Sequence, residues 1–304
     1  GFYCAKVLEP LGADTAGSRY LDPDGSFPNH IPNPENEAAM QSIMDAVQES
    51  KADLGIIFDT DVDRAGAVLS DGTELNRNRI IAMMAAILLR EHPGTTIVTD
   101  SITSTGLAAF IRKHGGVHHR FKRGYRNVIN ESMRLNREGH DSQLAMETSG
   151  HGALKENYFL DDGAYLVTRL LIELARAKKE GYTLESLIAD LAEPAESKEF
   201  RMNILVPDFK AYGQKIIDEL NVYAASQPGW SVAPDNFEGV RVNLDKAHGD
   251  GWFLLRLSLH DPLIPLNIES DSVGGVRQIA SELAPFLRPF DQLDTSALLA
   301  FAGC

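Results

Sequence analysis

Residues 52–64 read Ala-Asp-Leu-Gly-Ile-Ile-Phe-Asp-Thr-Asp-Val-Asp-Arg, an apolar run followed by three aspartates at alternate positions and an arginine. The run from Leu54 to Phe58 is typical of a buried strand. Because residues two apart in an extended backbone point the same way, Asp59, Asp61 and Asp63 are expected to converge. Converging carboxylates repel one another unless a cation lies between them, and hard oxygen ligands suit Mg²⁺. The stretch therefore predicts a divalent-cation loop.

Three other interpretations compete with the cation loop. A solvated acidic turn is the ordinary explanation of an isolated Asp-x-Asp, but the third aspartate and Arg64 count against it. An EF-hand needs Gly at its sixth position and Glu at its twelfth, where this chain has Arg64 and Ser70. A haloacid-dehalogenase-like phosphatase also opens its site with Asp-x-Asp after an apolar strand, with Asp59 as nucleophile and Asp61 as acid/base. That phosphatase is kept as an alternative function.

Length and charge limit the class of protein. A chain of 304 residues predicts two or three domains. The formal net charge of -14 argues against a general nucleic-acid binder, because phosphate backbones require clustered Lys and Arg. Cys4 and Cys304 lie at opposite ends of the chain, which fits a reducing compartment. The longest apolar run, Ile80 to Leu89, is too short to cross a bilayer and predicts a buried helix. We expect a soluble intracellular protein with no membrane partner.

Helix and strand patterns alternate along the first part of the chain. They predict an α/β fold, with mixed or parallel sheets flanked by helices in two α/β domains, residues 1–72 and 73–192. A short strand is expected at Thr15 to Leu21. Residues 192–197 read as a linker. Beyond it, neighbouring strands framed by two helices predict an α+β domain with an antiparallel sheet, residues 198–304.

The chain starts within a predicted helix instead of at the beginning of one. Residues 1–12 read as the middle and end of an amphipathic helix that Gly12 closes, with no strand or cap before it. Natural chains rarely begin inside such a unit. We therefore expect that these residues follow an N-terminal part of a longer protein.

A second polar loop follows a predicted strand at Met146. Glu147 and Ser149 can hydrogen-bond paired sugar hydroxyls, and His151 titrates near neutral pH and can carry a proton. An ordinary polar turn explains the loop equally well. Farther along, Asp161 and Asp162 precede a long helix, where helix capping is expected for at least one of them.

Two basic segments are candidate anion sites. Arg256 offers a bidentate fork to phosphate, and Ser258 with backbone N–H groups can complete such a site, although a plain hairpin is the competing interpretation. Lys122 to Arg126 is a basic run in an acidic chain, for which a solvated face is the default. It also starts at the end of a predicted strand.

In this order, the motifs resemble those of the α-D-phosphohexomutase family, which comprises phosphoglucomutases, phosphomannomutases and phosphoglucosamine mutases. The metal loop of that family reads Asp-Gly-Asp-Gly-Asp-Arg, which Asp59 to Arg64 matches with both glycines replaced. Its sugar loop reads Gly-Glu-x-Ser-Gly-His, matched from Glu147 to His151. Asp161 to Gly163 and Gly124 followed by a basic residue are also similar to the family. The resemblance extends from the first residue to about Phe286.

The resemblance implies an enzyme that interconverts hexose 1-phosphate and hexose 6-phosphate through a bisphosphate. Its cofactors would be Mg²⁺ and an activator of the glucose 1,6-bisphosphate type, and its partner would be a phosphorylated hexose. The family has four domains, and this chain corresponds to the latter part of the second and to the third and fourth. The first, which carries the phosphorylated serine, would be a missing partner, so this chain alone is expected to be inactive.

The resemblance also assigns roles to individual residues. Asp59, Asp61 and Asp63 would hold Mg²⁺, and Arg64 would orient the reacting phosphoryl group. In the sugar loop, Glu147 and Ser149 would bind the sugar. His151 of the same loop and Arg126 are candidates for proton transfer or ligand contact.

The candidate anion site at residues 256–262 corresponds to the phosphate loop of the family. The family pattern for this loop usually reads Arg-x-Ser-Gly-Thr-Glu-Pro, and this chain departs from it. This chain keeps Arg256 and Ser258 but has Leu259, His260 and Asp261 before the proline. Loss of the glycine hinders close backbone approach to phosphate, and loss of the threonine removes a hydroxyl donor, for which His260 would compensate only when protonated. A non-catalytic sugar-phosphate-binding relative is therefore a second alternative. The variant loop faintly resembles a plant and algal branch, which adds a plastid to the cytoplasm as a candidate location.

Overall fold

The computed structural model describes residues 1–258 and 261–303. The chain forms two compact units. Unit 1 comprises residues 1–119 and 124–191, and unit 2 comprises residues 120–123 and the chain from residue 192 onward. The domain boundaries predicted from the sequence, at residues 72 and 192, stay predictions.

Unit 1 contains five α-helices and two sheets among its described residues. The helices are α1 (Glu37–Ser50), α2 (Arg77–Glu91), α3 (Thr105–Lys113), α4 (Tyr125–Arg137) and α5 (Gly163–Glu180). The strands are β1 (Leu54–Phe58), β2 (Ala65–Leu69), β3 (Glu74–Leu75), β4 (Thr96–Thr99), β5 (Val117–Arg120, of which the last residue is assigned to unit 2), β6 (Ser142–Met146) and β7 (Gly152–Leu154).

The two sheets of unit 1 differ in strand direction. The four-stranded sheet has the order β5-β4-β6-β7, with β4 and β6 parallel and β6 and β7 antiparallel. It is the mixed sheet that the alternating pattern predicts. The three-stranded sheet has the order β1-β2-β3 and is antiparallel, which differs from the mixed or parallel arrangement expected there. Its strands follow one another through short turns, and such turns join antiparallel neighbours.

Helix α2 forms the centre of the unit 1 core. All of its residues from Ile80 to Leu89 are buried, as predicted for an apolar run of this length. A helix that is apolar on every side must be covered on every side. Accordingly, α2 packs against residues of α3, β6 and α5, including Phe110, Leu144 and Leu166.

Unit 2 is the predicted α+β domain with an antiparallel sheet. Its strands β8 (Glu196–Asn203), β9 (Trp230–Val232), β10 (Val240–Leu244), β11 (Gly251–Leu255) and β12 (Leu263–Ser270) pair in the order β8-β12-β11-β10-β9. Every described pair is antiparallel. The helices are α6 (Phe209–Ser226), α7 (Gly275–Leu287) and α8 (Ser296–Ala302).

One face of the unit 2 sheet carries the apolar core. Alternate strand residues such as Val242 and Phe253 are fully buried with Ile216 of α6 and Leu283 of α7. The alternation follows from the two-residue period of a strand, which places neighbours on opposite faces.

Two local predictions are wrong. Residues 15–21 form no strand and have no regular secondary structure apart from a turn at residues 16–17. Strand β8 begins at Glu196, inside the predicted linker, because its first residues pair with the end of β12. None of the helices in the described ranges is long and apolar enough to span a membrane.

Candidate functional site

The segment with the three aspartates, residues 59–64, is called the aspartate loop. It connects β1 to β2, so both of its ends are held by an antiparallel strand pair. One oxygen from each of Asp59, Asp61 and Asp63 lies within 4.8 Å of the others. Asp59 is buried and Asp61 is exposed. The structure therefore brings the three predicted carboxylates together. The convergence comes from a turn, with φ of 66° at Val62, instead of from the extended backbone that the sequence argument assumed.

Arg64 lies against Asp59. Its Nε donates to Asp59 Oδ2 at 2.8 Å, and its backbone N–H donates to Asp59 Oδ1 at 3.2 Å. Its Nη1 donates to Asn33 Oδ1 at 3.3 Å, a contact that no motif in the sequence indicated. Arg64 thus fixes the innermost carboxylate of the loop, and Asn33 in turn supports Arg64.

The aspartates differ in their affinity for protons. Burial alone would raise the pKa of Asp59, but the hydrogen bonds and charge of Arg64 lower it below its usual value. Burial, the hydrogen bond with Asp59 and the charge of Asp59 raise the pKa of Asp63 to about 6, although the charge of His151 opposes this shift. Close carboxylates that share a proton are suited to share a cation instead.

We expect Mg²⁺ affinity to fall as the pH decreases through about 6, because Asp63 must lose its proton to act as a ligand. Below that value the apparent affinity should decrease by about tenfold for each pH unit, and above it the affinity should level off. Isothermal titration calorimetry with Mg²⁺ at several pH values measures this dependence, and circular dichroism at each pH is the control for folding. A constant affinity throughout the range would contradict the role of Asp63.

Val62 occupies a backbone conformation that β-branched residues rarely adopt. It stands at one of the two positions where the family has glycine. We expect Val62→Gly to stabilise the protein by about 1 kcal/mol in urea denaturation, because glycine adopts positive φ without steric cost. Thr60→Gly replaces the other such position, where φ is not positive, and should give no gain. Equal effects of the two substitutions would show that strain at Val62 is not the cause.

The sugar loop of the sequence analysis is a tight turn between β6 and β7. Glu147 N–H donates to the carbonyl of His151 at 2.9 Å, and Gly150 N–H donates to the carbonyl of Glu147 at 3.1 Å. Glu147 Oε1 accepts from the backbone N–H of Gly124 at 2.6 Å, which connects the loop to the start of α4. The Ser149 hydroxyl is buried and has no hydrogen-bond partner among the described residues. The described residues therefore leave its hydrogen-bonding capacity unused.

His151 is held by a residue from the start of α5. Its Nδ1 lies 2.8 Å from Asp161 Oδ2 and 3.6 Å from Asp63 Oδ2. Its ring stacks on Tyr125, with centroids 5.1 Å apart and an interplanar angle of 23°. Burial alone would lower the pKa of His151, but the hydrogen bond and charge of Asp161, with further acidic neighbours, raise it above its usual value.

The neighbouring aspartates Asp161 and Asp162 have different roles. Asp162 caps α5, because its side chain accepts from the N–H of Tyr165 at 2.9 Å, and the capping prediction is confirmed for this residue. Asp161 instead contacts His151 and accepts from the N–H of Gly152 at 3.1 Å. The only sign of this contact in the sequence is a second aspartate next to the one that caps the helix.

Backbone contacts join the aspartate loop to the sugar loop and to the start of α5. Arg64 and His151 form an antiparallel bridge, and Ala65 N–H donates to the carbonyl of Gly150 at 3.4 Å. Gly163 N–H donates to the carbonyl of Val62 at 3.0 Å. Three segments that are distant in sequence therefore form one site within unit 1.

The remaining predicted residue of unit 1, Arg126, is exposed at the start of α4. Its guanidinium lies 5.6 Å from the ring centroid of Tyr125, and its Nε donates to the Tyr125 hydroxyl at 3.1 Å. No role was predicted for Tyr125 from the sequence. An aromatic residue directly after a glycine at a helix start gives no more than a weak signal of this contact.

The predicted phosphate loop belongs to unit 2. Backbone pairing continues beyond β11, because Arg256 N–H donates to the carbonyl of Pro265 at 3.2 Å and Ser258 N–H donates to that of Leu263 at 3.0 Å. Ser258 Oγ accepts from the N–H of Asp261 at 3.2 Å. The predicted residue His260 lies outside the described residues. The phosphate role of this loop stays a prediction.

Two family models match the chain. Residues 1–72 match phosphoglucomutase/phosphomannomutase, alpha/beta/alpha domain II, and residues 76–194 match domain III of the same family. The phosphomannomutase/phosphoglucomutase of Pseudomonas putida is 32% identical over 281 residues, which are 92% of this chain and 56% of that protein. The chain thus spans little more than half the length of the curated relatives it matches.

Solved structures agree with these matches. A phosphoglucomutase/phosphomannomutase family protein from Burkholderia thailandensis is 29% identical, with a TM-score of 0.73 over 90% of this chain and 55% of that one. The N-acetylphosphoglucosamine mutase of Aspergillus fumigatus, solved in complex with GlcNAc-6P and magnesium, is 13% identical. It matches with a TM-score of 0.52 over 81% of this chain and 52% of that one, a likeness that concerns the fold alone. On the family models and these relatives, the chain belongs to the α-D-phosphohexomutase family of phosphoglucomutases and phosphomannomutases.

Proposed function

We propose that this chain supplies the metal-binding and sugar-binding residues of a hexose phosphate mutase. The reaction would interconvert hexose 1-phosphate and hexose 6-phosphate through a bisphosphate. The observation that carries this proposal is the backbone connection between the aspartate loop and the sugar loop, through the bridge of Arg64 with His151. It places cation ligands beside groups that suit a sugar, as transfer of a phosphoryl group to a sugar hydroxyl requires.

The aspartate loop fits Mg²⁺ by its donor atoms. Asp59, Asp61 and Asp63 offer carboxylate oxygens, the ligands that Mg²⁺ prefers. Asp63 Oδ1 is buried and has no hydrogen-bond partner among the described residues, so a cation would satisfy it. A bound Mg²⁺ would neutralise charge on the phosphoryl oxygens.

A second group of potential ligands, Asp63, His151 and Asp161, overlaps the first. Imidazole suits transition metals better than Mg²⁺. The Nδ1 of His151 is also already hydrogen-bonded to Asp161. The three aspartates are therefore the better site for Mg²⁺.

The side chains around the cation site have separate tasks in the proposed reaction. Glu147 and the unpartnered hydroxyl of Ser149 would bind sugar hydroxyls, and His151 would accept the proton of the attacking hydroxyl. Arg64 and Arg126 supply positive charge for phosphoryl oxygens. In unit 2, Arg256, Ser258 and His260 would bind the second phosphate.

In members of the family, a serine of another domain carries the phosphoryl group that is transferred. We therefore expect that turnover requires the serine-bearing domain in addition to residues 1–304. An activator of the glucose 1,6-bisphosphate type would load that serine. Binding of Mg²⁺ and sugar phosphate, by contrast, should be a property of this chain.

A ³¹P NMR time course with glucose 1,6-bisphosphate and Mg²⁺ tests the proposal. We expect line changes that depend on Mg²⁺, disappear with EDTA and yield no new product. Ser149→Ala should weaken this binding about tenfold without lowering stability, because the hydroxyl has no hydrogen-bond partner to lose in the part of the chain that the structure describes. The absence of Mg²⁺-dependent binding in the folded wild-type chain would refute the proposal.

The same experiment separates the alternatives. Release of inorganic phosphate that is lost in Asp59→Asn would favour the phosphatase. Normal binding without isomerisation after addition of an intact serine-bearing domain would favour the non-catalytic relative. The observation behind that second alternative is the replacement of the family's glycine and threonine by Leu259 and His260.

A further inference from the structure

The imidazole of His151 is held both at one nitrogen and on one ring face. Asp161 Oδ2 lies 2.8 Å from Nδ1, and Asp161 Oδ1 accepts the N–H of Gly152 at 3.1 Å. Tyr125 stacks on the ring at 5.1 Å, and Arg126 lies against Tyr125. Asp161 is thus fixed by the backbone of β7, and it fixes the histidine in turn.

This geometry decides which nitrogen of the neutral ring carries the hydrogen. A carboxylate oxygen can only accept a hydrogen bond, so Nδ1 must be the donor to Asp161. In the neutral ring the other nitrogen, Nε2, then has a free lone pair. None of the described residues of unit 1 hydrogen-bonds to Nε2.

We propose that Asp161 and Tyr125 are positioning residues for His151, which fix its Nδ1–H tautomer and its ring plane so that Nε2 accepts the proton of a sugar hydroxyl. The identity of that hydroxyl rests on the proposed function. The tautomer and the ring orientation are properties of this chain alone.

The proton transfer is balanced as follows. The O–H bond of the sugar hydroxyl breaks, and its proton forms a bond with Nε2. The electron pair of that bond stays on the hydroxyl oxygen, which forms a bond to phosphorus. The bond between phosphorus and the serine oxygen of the proposed function breaks at the same time, and that serine oxygen keeps the electron pair. His151 becomes an imidazolium whose Nδ1–H remains bonded to Asp161. A carboxylate 2.8 Å away stabilises the charge that this step creates.

Asp161→Asn tests the tautomer. If the asparagine oxygen keeps the N–H of Gly152, its amide group faces Nδ1 and donates to it, so the ring must shift to the Nε2–H tautomer. We expect the ¹⁵N chemical shift of Nδ1 to change from that of a protonated ring nitrogen to that of an unprotonated one, and the shift of Nε2 to change the opposite way. Histidine-selective ¹⁵N labelling measures both shifts at a pH where the ring is neutral. The signals are assigned by their loss in His151→Gln.

Asp162→Asn is the matched control. It makes the same change at the next residue, keeps a good helix cap for α5 and does not touch His151. The wild-type tautomer should therefore persist. An Nε2–H tautomer in the wild type, or an unchanged tautomer in Asp161→Asn, would overturn the role of Asp161.

Tyr125→Phe and Tyr125→Leu test the stacking contact. A stacked aromatic ring shields the carbon-bound protons of the imidazole, so phenylalanine should preserve their shifts and leucine should move them downfield. Equal shifts in the two variants would overturn the role of Tyr125. These outcomes are independent of ligand binding, so a normal tautomer in a chain that binds no sugar phosphate would refute the proposed function and leave this assignment intact.

Discussion

Asp59→Asn is expected to abolish Mg²⁺ binding and to lower the free energy of unfolding by about 3 kcal/mol. Asp59 is the buried member of the three aspartates, and Arg64 donates to both of its oxygens. The neutral amide removes one ligand charge and leaves the guanidinium with a weaker partner. Breaking one side of a buried ion pair costs more than the pair itself contributes, because the remaining charge stays poorly solvated.

Asp61→Asn separates these two effects. Asp61 belongs to the same ligand group but is exposed, so its replacement should weaken Mg²⁺ binding and change stability by less than about 0.5 kcal/mol. Isothermal titration calorimetry measures the Mg²⁺ affinity of both variants, and urea denaturation measures their stability. If Asp59→Asn is as stable as Asp61→Asn, the contact with Arg64 does not stabilise the loop.

Gly163→Ala is expected to lower the free energy of unfolding by about 1 to 3 kcal/mol. A Cβ atom at this position would lie 2.8 Å from the carbonyl carbon of Arg64 and 2.9 Å from the carbonyl oxygen of Val62. These are backbone atoms of the aspartate loop, so they cannot move aside without displacing it. We therefore expect weaker Mg²⁺ binding as well, although Gly163 is not a ligand.

Gly25→Ala is the control for this substitution, since a Cβ there meets no heavy atom within 4 Å and φ is not positive. It should be within about 0.5 kcal/mol of the wild type. Urea denaturation measures the stability of both variants, and titration measures their Mg²⁺ affinity. Normal Mg²⁺ binding by a destabilised Gly163→Ala variant would show that the start of α5 does not hold the aspartate loop.

Much of the fold follows from local patterns in the sequence. The strand Leu54–Phe58 has the predicted bounds, because an apolar run before a polar turn is a strong local signal. The predicted strand at Thr15 to Leu21 failed because no neighbour pairs with it among the described residues. A strand exists only as a member of a sheet, which a short segment cannot specify alone.

The sequence by itself also determined the composition of the candidate site: three aspartates with an arginine, and a glutamate, serine and histidine in a second loop. Only the tertiary structure decided the contacts between these loops. It placed Arg64 on Asp59, Asp161 on His151 and Gly163 against the carbonyl of Val62. Residue types state which groups can donate, accept or ligate, but those partners lie in separate segments, so packing of the whole unit selects which of them meet.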